Sequence, residues 1–435
     1  MLMITGRSLV TAAIVSSAVV AVSGCGGGSA ADDRAEAAEE SDASDSVPIS
    51  VQAPATTTPT TSPASTTTST STTSTTTTTE PLRPITLLFT GDVLMHSPLW
   101  SQARRNAEAS GLADAVRDDP RLDTDGVPET PPLDFAPMFD HIAPLVASVD
   151  LAICHLETPI APPGEAYSTH PRYGVPAEVV DGLAAAGFDH CSTASNHTFD
   201  RGIPALETTI DRFAQVGITQ EGMAATPDEA GPSLLEVDGT IVGHLSYSYG
   251  WDVGSRPADE PWRAALIDPE RIIADADAAR QAGAELVIAS LHWGNSGSPV
   301  ASASQQEIAA ILAESGLVDL VVGHHAHVVQ PVEQVGGMWV AYGLGNLISN
   351  LPVPDSYWGP ETQDGAILTV EIDRTGTVPT ISAVAVHPIW VDKTGKWVVR
   401  DVLRSIADGE ATSAIEASLR RTSRVLGEWI DVPVE

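Results

Sequence analysis

Five times along this chain an apolar run stops at residues that can bind a metal or move a proton. "ITLLFTGD" ends at Asp92, and "VDLAICHLETP" runs into His155 and Glu157. "FDHCSTASNHTFDRG" reaches Asn196, His197 and Asp200, and "AELVIASLHWG" reaches His292. "GLVDLVVGHHAHV" ends in His324, His325 and His327, three of only 12 histidines in 435 residues. A short continuous apolar run cut off by a turn is the pattern of a strand buried on both faces, as in a parallel sheet. Open α/β sheets place their sites outside the carboxyl ends of such strands. The polar residues at the run ends are therefore expected to converge.

Helical patterns separate the runs. Residues 176–187, 202–217, 268–283 and 304–316 each carry apolar residues at three-to-four spacing and end in glycine, a helix stop signal. Residues 234–247 read as a hairpin through Asp238-Gly239, and 332–342 as another through Gly336-Gly337. Strands are expected over 366–372 and 380–386, followed by one or two helices. Parallel βα units mixed with antiparallel hairpins point to a layered α/β fold with mixed sheets flanked by helices. The folded domain is placed at 85–390, with 391–435 as a helical extension of it.

The residues before it read differently. Arg7 precedes an uncharged, mostly apolar stretch over 8–22, which at about 15 residues is a secretory leader rather than a membrane span. Val22-Ser23-Gly24-Cys25 resembles a bacterial lipobox, so Cys25 is expected to carry a lipid anchor and to hold the protein outside the cytoplasm, on the cell membrane. Residues 26–84 are acidic and then Thr/Ser/Pro-rich, with nothing to bury, and are expected to form a disordered tether. As a flexible coil these 59 residues reach about 45 Å. The net charge of −35 excludes nucleic acid as a partner, since backbone phosphates would be repelled. Cys154 and Cys191 fall in expected buried strands and read as two core thiols, with a disulfide as the alternative.

Carboxylates, imidazoles and one amide oxygen form a borderline-to-hard donor set that suits Zn²⁺, Mn²⁺ or Fe and lacks the thiolates of structural zinc. "TGDV", "HLETP", "SNHTFDRG", "LHWG", "GHHAHVVQPVE" and "YGLGNLI" then follow one another in an order and spacing that resembles the CapA family. These are the poly-γ-glutamate capsule proteins, a divergent branch of the calcineurin-like metallophosphoesterases. The resemblance covers about residues 85–350. It implies that layered fold and two divalent ions, with Asp92 and His327 on the first, Glu157 bridging, and Asn196, His292 and His325 on the second. It implies that His197 protonates a leaving group or stabilises transition-state charge, with Asp200 orienting it. Two such ions would clamp the oxygens of an in-line displacement.

The sequence departs from that pattern in three places. Val93-Leu94 follows Asp92 where the superfamily has Asp-x-His, and the next histidine is His96. His155 stands where the family has Asn, and is a candidate replacement ligand. "HWGNSG" carries Asn295 where relatives often have an acid. His324 is left as structural or as a partner behind a ligand, because His325-x-His327 has the spacing of the ligand pair. Arg172, in "THPRYG", is read as an anion clamp, with a surface ion pair as its plainer alternative. The expected function is a lipid-anchored, metal-dependent hydrolase acting on a phosphoester or on an anionic γ-glutamyl polymer, alongside partner proteins of capsule synthesis. The alternative is a non-catalytic envelope assembly factor that keeps the fold and holds the polymer.

Overall fold

Alternation along each strand decides which core its side chains enter. The computed structural model describes residues 82–112, 132–354 and 356–430; Cys25 and the tether up to residue 81 lie outside them. In β1 (Ile85–Val93) and β2 (Leu151–Leu156), Ile85, Leu87, Phe89, Leu151 and Ile153 enter one apolar layer. Leu88, Ala152, Cys154 and Leu156 point the other way, into a second. The same period of two splits β7 (Leu286–His292), with Leu286 and Ile288 in the first layer and Val287, Ala289 and Leu291 in a third. These strands have no solvated face, which is why they read as unbroken apolar runs.

The layer shared by Leu87, Ile153, Ile288 and Val322 lies between two sheets. The first sheet runs β14 (Val398–Asp401), β13 (Thr380–Asp392), β12 (Asp364–Asp373), β1, β2, β3 (His190–Ser192) and β4 (Thr219–Glu221), with β11 (Asn346–Ile348) paired to β1. It is parallel from β1 to β4 and antiparallel from β1 through β12 to β14. The second runs β5 (Ser233–Val237), β6 (Thr240–Ser248), β7, β8 (Leu320–His324), β10 (Met338–Ala341) and β9 (Val332–Val335). Its centre is parallel, and an antiparallel hairpin closes each edge.

Helices cover the outer faces. Leu99 and Ala103 of α1 (Ser97–Ala109), Val146 of α2 (Ala143–Val146), Val179 and Leu183 of α3 (Glu178–Ala186) and Phe213 of α4 (Gly202–Val216) pack on the first sheet. Ile272 and Ala276 of α5 (Pro269–Gln281), with Ala309 and Leu312 of α6 (Ala303–Ser315), pack on the second. A capping box between Ser302 and Gln305 starts α6, and Gly316 in the left-handed conformation ends it. The C-terminal pair α7 (Val402–Ala407) and α8 (Ser413–Leu426) pack through Val402 and Ile415 against Trp390 of β13. No described helix is long and apolar enough to cross a membrane.

Two expectations are corrected. Residues 391–435 are not wholly helical, because Val398–Asp401 adds an edge strand to the first sheet. Cys154 and Cys191 are not separate core thiols. The parallel pairing of β2 with β3 sets them directly opposite one another, with Cα atoms 4.4 Å apart, and they are joined as a disulfide.

Candidate metal centre

The strand ends that meet here are shaped by close backbone approaches. A side chain at Gly91 would stand 2.0 Å from the Gly345 carbonyl oxygen, and one at Gly323 would stand 1.8 Å from that of Tyr342. With only hydrogen at both positions, β1 and β8 run tight against the chain around β11 and β10. The register of β1 on β2 shifts between Phe89 and Asp92, the mark of a bulge that re-aims a side chain. Past β8, His325 and His327 hold φ of 81° and 57°, a left-handed backbone that non-glycine residues rarely adopt outside functional sites. His325 N–H donates to Asp92 Oδ2 at 3.1 Å, tying the strained turn to the end of β1.

Asp92 and Glu157 are fully buried, and no Lys or Arg is paired with either among the described residues. Imidazoles face them instead. His327 Nδ1 lies 3.1 Å from Asp92 Oδ2, His324 Nδ1 3.4 Å from Oδ1, and His155 Nε2 4.0 Å from Oδ1. Around Glu157 Oε1 stand His327 Nε2 at 3.7 Å and His197 Nε2 and His292 Nε2 at 3.9 Å. Asn196 Oδ1 is 2.8 Å from His292 Nε2, while its Nδ2 donates to Asp252 Oδ2 at 2.8 Å. His292 Nδ1 meets His155 Nε2 at 3.1 Å, and His155 Nδ1 meets Ser192 Oγ at 2.8 Å.

The donors fit divalent ions. Both oxygens of Glu157, both ring nitrogens of His324 and Nδ1 of His325 are buried without a hydrogen-bond partner, a cost that proteins avoid unless something else fills the place. Two groups have ligand atoms close enough to share an ion: Asp92 with His155 and His324, and Glu157 with His325 and His327. Asn196 Oδ1 and His292 Nε2 flank the second of these.

Burial and the missing cations set the protonation. Burial raises the Glu157 carboxyl to about 7, with Asp92 adding to the rise and His327 opposing it. At His327 burial pulls downward, but Glu157 and Asp92 outweigh it and hold the ring up at about 9. Burial also opposes ionisation of Asp92, yet the nearby rings of His324 and His327 keep its carboxyl well below the usual range. Burial pushes His155 and His292 well below the usual imidazole range and His325 to about 4, so these rings are neutral, as ligation requires. His197 differs. Burial lowers it, but its Nδ1–H donates to Asp200 Oδ2 at 2.9 Å and Glu157 lies near, and the net shift is upward.

The structure thus brings together Asp92, Glu157, Asn196, His197, Asp200, His292, His325 and His327. Arg172 stands apart, exposed beside Pro171 and Tyr173, which line the cleft above the site while Arg172 does not. His324, expected as structural or as a partner behind a ligand, joins the Asp92 group. Other contributors went unseen in the sequence. Asp252 holds the Asn196 amide, Tyr249 lays its ring 4.6 Å from that of His325, and Asn346 Oδ1 meets His327 Nδ1 at 3.1 Å. The cleft has a volume of about 680 Å³.

Two mixed sheets packed face to face, flanked by helices and gathering carboxylates and imidazoles where their strands end, define a layered α/β protein with a metal-type centre. Residues 86–351 match the family described as bacterial capsule synthesis protein PGA_cap, and the chain belongs to that family. The chain is 25% identical over 262 residues to the PGA biosynthesis protein CapA of Bacillus subtilis, covering 57% of this chain and 67% of that one. It is 30% identical over 216 residues to a probable polyglutamine synthesis accessory protein of Mycobacterium tuberculosis, covering 47% of this chain and 56% of that one. The Bacillus anthracis capsule biosynthesis protein CapA is 24% identical over 248 residues, 55% of this chain and 59% of its own. The chain therefore spans about two thirds or less of these relatives' length. Among solved structures it is similar to a phosphatase from Mycoplasma pneumoniae (13% identity, 71% of this chain, 94% of that one, TM-score 0.42). It is also similar to a calcineurin-like phosphoesterase from Bacillus subtilis (12% identity, 79% and 98%, TM-score 0.39).

Proposed function

We propose that this chain is a metal-dependent hydrolase of the cell envelope, held to the membrane through Cys25, that serves the making of a poly-glutamate capsule-type polymer. The observation that carries it is Glu157, a buried carboxylate with both oxygens unbonded and three imidazoles turned toward Oε1. Asp92, Glu157, Asn196, His292, His325 and His327 would hold one or two ions of Mn, Zn or Fe, which would supply Lewis acidity and neutralise charge on the reacting oxygens. The names of its relatives support the polymer role. The Cys154–Cys191 disulfide supports an oxidising compartment.

In this reading His197 is the general acid. Asp200 takes its Nδ1–H, which leaves Nε2–H for the leaving group. A water oxygen bonds to the scissile phosphorus or carbonyl carbon. The bond to the leaving oxygen or nitrogen breaks with its electron pair on that atom, and the His197 proton goes to it. The water's second proton restores His197 through solvent. A non-catalytic assembly role is the second reading, favoured by the missing histidine after Asp92. His197→Ala separates the two: it should keep metal content and melting temperature while hydrolysis falls about 10²–10⁴-fold. Equal turnover in both proteins removes His197 from the mechanism, and no turnover by metal-loaded wild type points to the assembly role.

A further inference from the structure

The lining of the cleft bears on which bond is cut, if the hydrolase reading above holds. Among the described residues that line it there is no Lys and no Arg, and one carboxylate, Asp252, faces it. A γ-glutamyl polymer carries a negative charge on every residue and would need cations spaced along its path. Outside the ligand cluster where His197 and His327 stand, this chain offers the reverse, a net charge of −35, felt over about 8 Å at physiological salt. Arg172 lies outside the cleft, and the imidazole of His96 within it is held down at about 4 by burial and so is neutral.

One wall of the cleft is apolar. Leu94, Leu351, Val353, Tyr357 and Trp358 line it. The Trp358 ring stands edge-on to His327 with centroids 5.7 Å apart, and Tyr357 packs on Trp358 at 4.5 Å. Tyr357 is 82% exposed, so this aromatic pair starts beside a metal-type ligand and ends in solvent. A volume of about 680 Å³ falls in the range that encloses a small molecule.

We infer that the substrate is a phosphoester whose alcohol carries a planar ring, with the phosphoryl group at the ligands and the ring on Trp358 and Tyr357, and is not a γ-glutamyl polymer. Anion recognition is confined to the ligand cluster, and the remaining affinity comes from a flat apolar face. An aryl group or a nucleobase would each meet that requirement.

The test uses the full chain loaded with Mn²⁺ or Zn²⁺ and non-hydrolysable probes, so that binding is read apart from turnover. Phenylphosphonate should bind about tenfold more tightly than methylphosphonate by calorimetry. Trp358→Ala and Tyr357→Ala should each reduce that preference about 3- to 10-fold, the range expected for an aromatic contact, and Trp358→Phe should restore most of it. Tyr357 is too exposed for its loss to unfold the chain, so one variant reports whatever happens at Trp358. Nucleoside 5′-phosphonates then test a nucleobase as the source of the ring, with sugar phosphonates as the non-planar control. A γ-glutamyl oligomer should not compete. Equal affinity for the two simple phosphonates overturns the inference, as does competition by the oligomer that weakens with salt and with Arg172→Ala. If the phenyl preference holds but no ester is hydrolysed, the hydrolase reading fails and the site remains a ring-phosphate binding site.

Discussion

Asp252→Asn should weaken metal binding although Asp252 is not a ligand. An ionised carboxylate can only accept, so Asn196 must turn Nδ2 toward Asp252 and Oδ1 toward His292, each at 2.8 Å. Asparagine at 252 can donate or accept, and the preference that keeps the amide oxygen facing the ions disappears. Losing an orienting partner behind a ligand typically costs about 10–100-fold in metal affinity, or roughly 1.4–2.7 kcal/mol at 1.36 kcal/mol per decade. Asp252 is exposed, and solvent screening weakens its hold, so the expected loss is about tenfold. Competitive chelator titration with Zn²⁺ and Co²⁺ measures it. Tyr249→Phe is the control: it removes the hydroxyl that donates to Asp252 Oδ1 at 2.9 Å but keeps the acceptor, and should change affinity by less than about threefold. If Asp252→Asn binds every equivalent within twofold of wild type, Asn196 is not held in this way, or is not a ligand.

Changing His325 and His327 together to Ala should abolish metal binding by elemental analysis, and unchanged content would sink the ligand assignment. Burial raises Glu221, which lines a small cavity, to about 8. Its folded pKa exceeds its unfolded value, so its contribution to stability is complete below about pH 4.5 and is lost as pH rises through 8. Glu221→Gln keeps the hydrogen bond from Ser233 and should flatten that decline. The gain over wild type at pH 9 should be about 2–3 kcal/mol in urea unfolding, below the full linkage value because the residue is only partly buried; parallel pH profiles would refute it. Cys25→Ser should move the protein from the membrane fraction to the soluble one, and retention after correct processing would mean another anchor.

What the sequence disclosed, and what it hid, follow from the same burial pattern. Leu286–His292 is buried at every position, so its apolar run announced a strand and the histidine at its end. The same completeness concealed which face looks toward the other sheet. Leu320, Val322 and His324 share a face, as do Leu151, Ile153 and His155. Both triplets point between the sheets, which stacks His155 on His324 at 3.9 Å. Had that face been known, period two alone would have put His324 with the ligands. α1 escaped notice because Gln102 and Asn106 occupy its buried stripe and hydrogen-bond one another there. Asp252 left no trace, since one acid in a glycine-flanked loop has no period. The cysteine pairing needed the knowledge that β2 lies beside β3, which crossover connections do not reveal.

Asp92 and Glu157 tie the centre to the fold as a whole. Carboxylates this deep are tolerated only when paired or neutralised, and no guanidinium or ammonium reaches them among the described residues. Without ions the protein makes up the balance with protons, which is why Glu157 rises to about 7 and His327 to about 9. Divalent ions would take over that role, so metal uptake must release protons and must weaken as pH falls. Asp92 and Glu157 come from the first sheet, whereas His292, His325 and His327 come from the second. An ion between them spans the interface that Leu87, Ile153, Ile288 and Val322 already fill. Holding the ligands within bonding distance is then the same physical problem as holding the two sheets in register. A methylene removed from that apolar layer would reach the metal centre without touching a ligand.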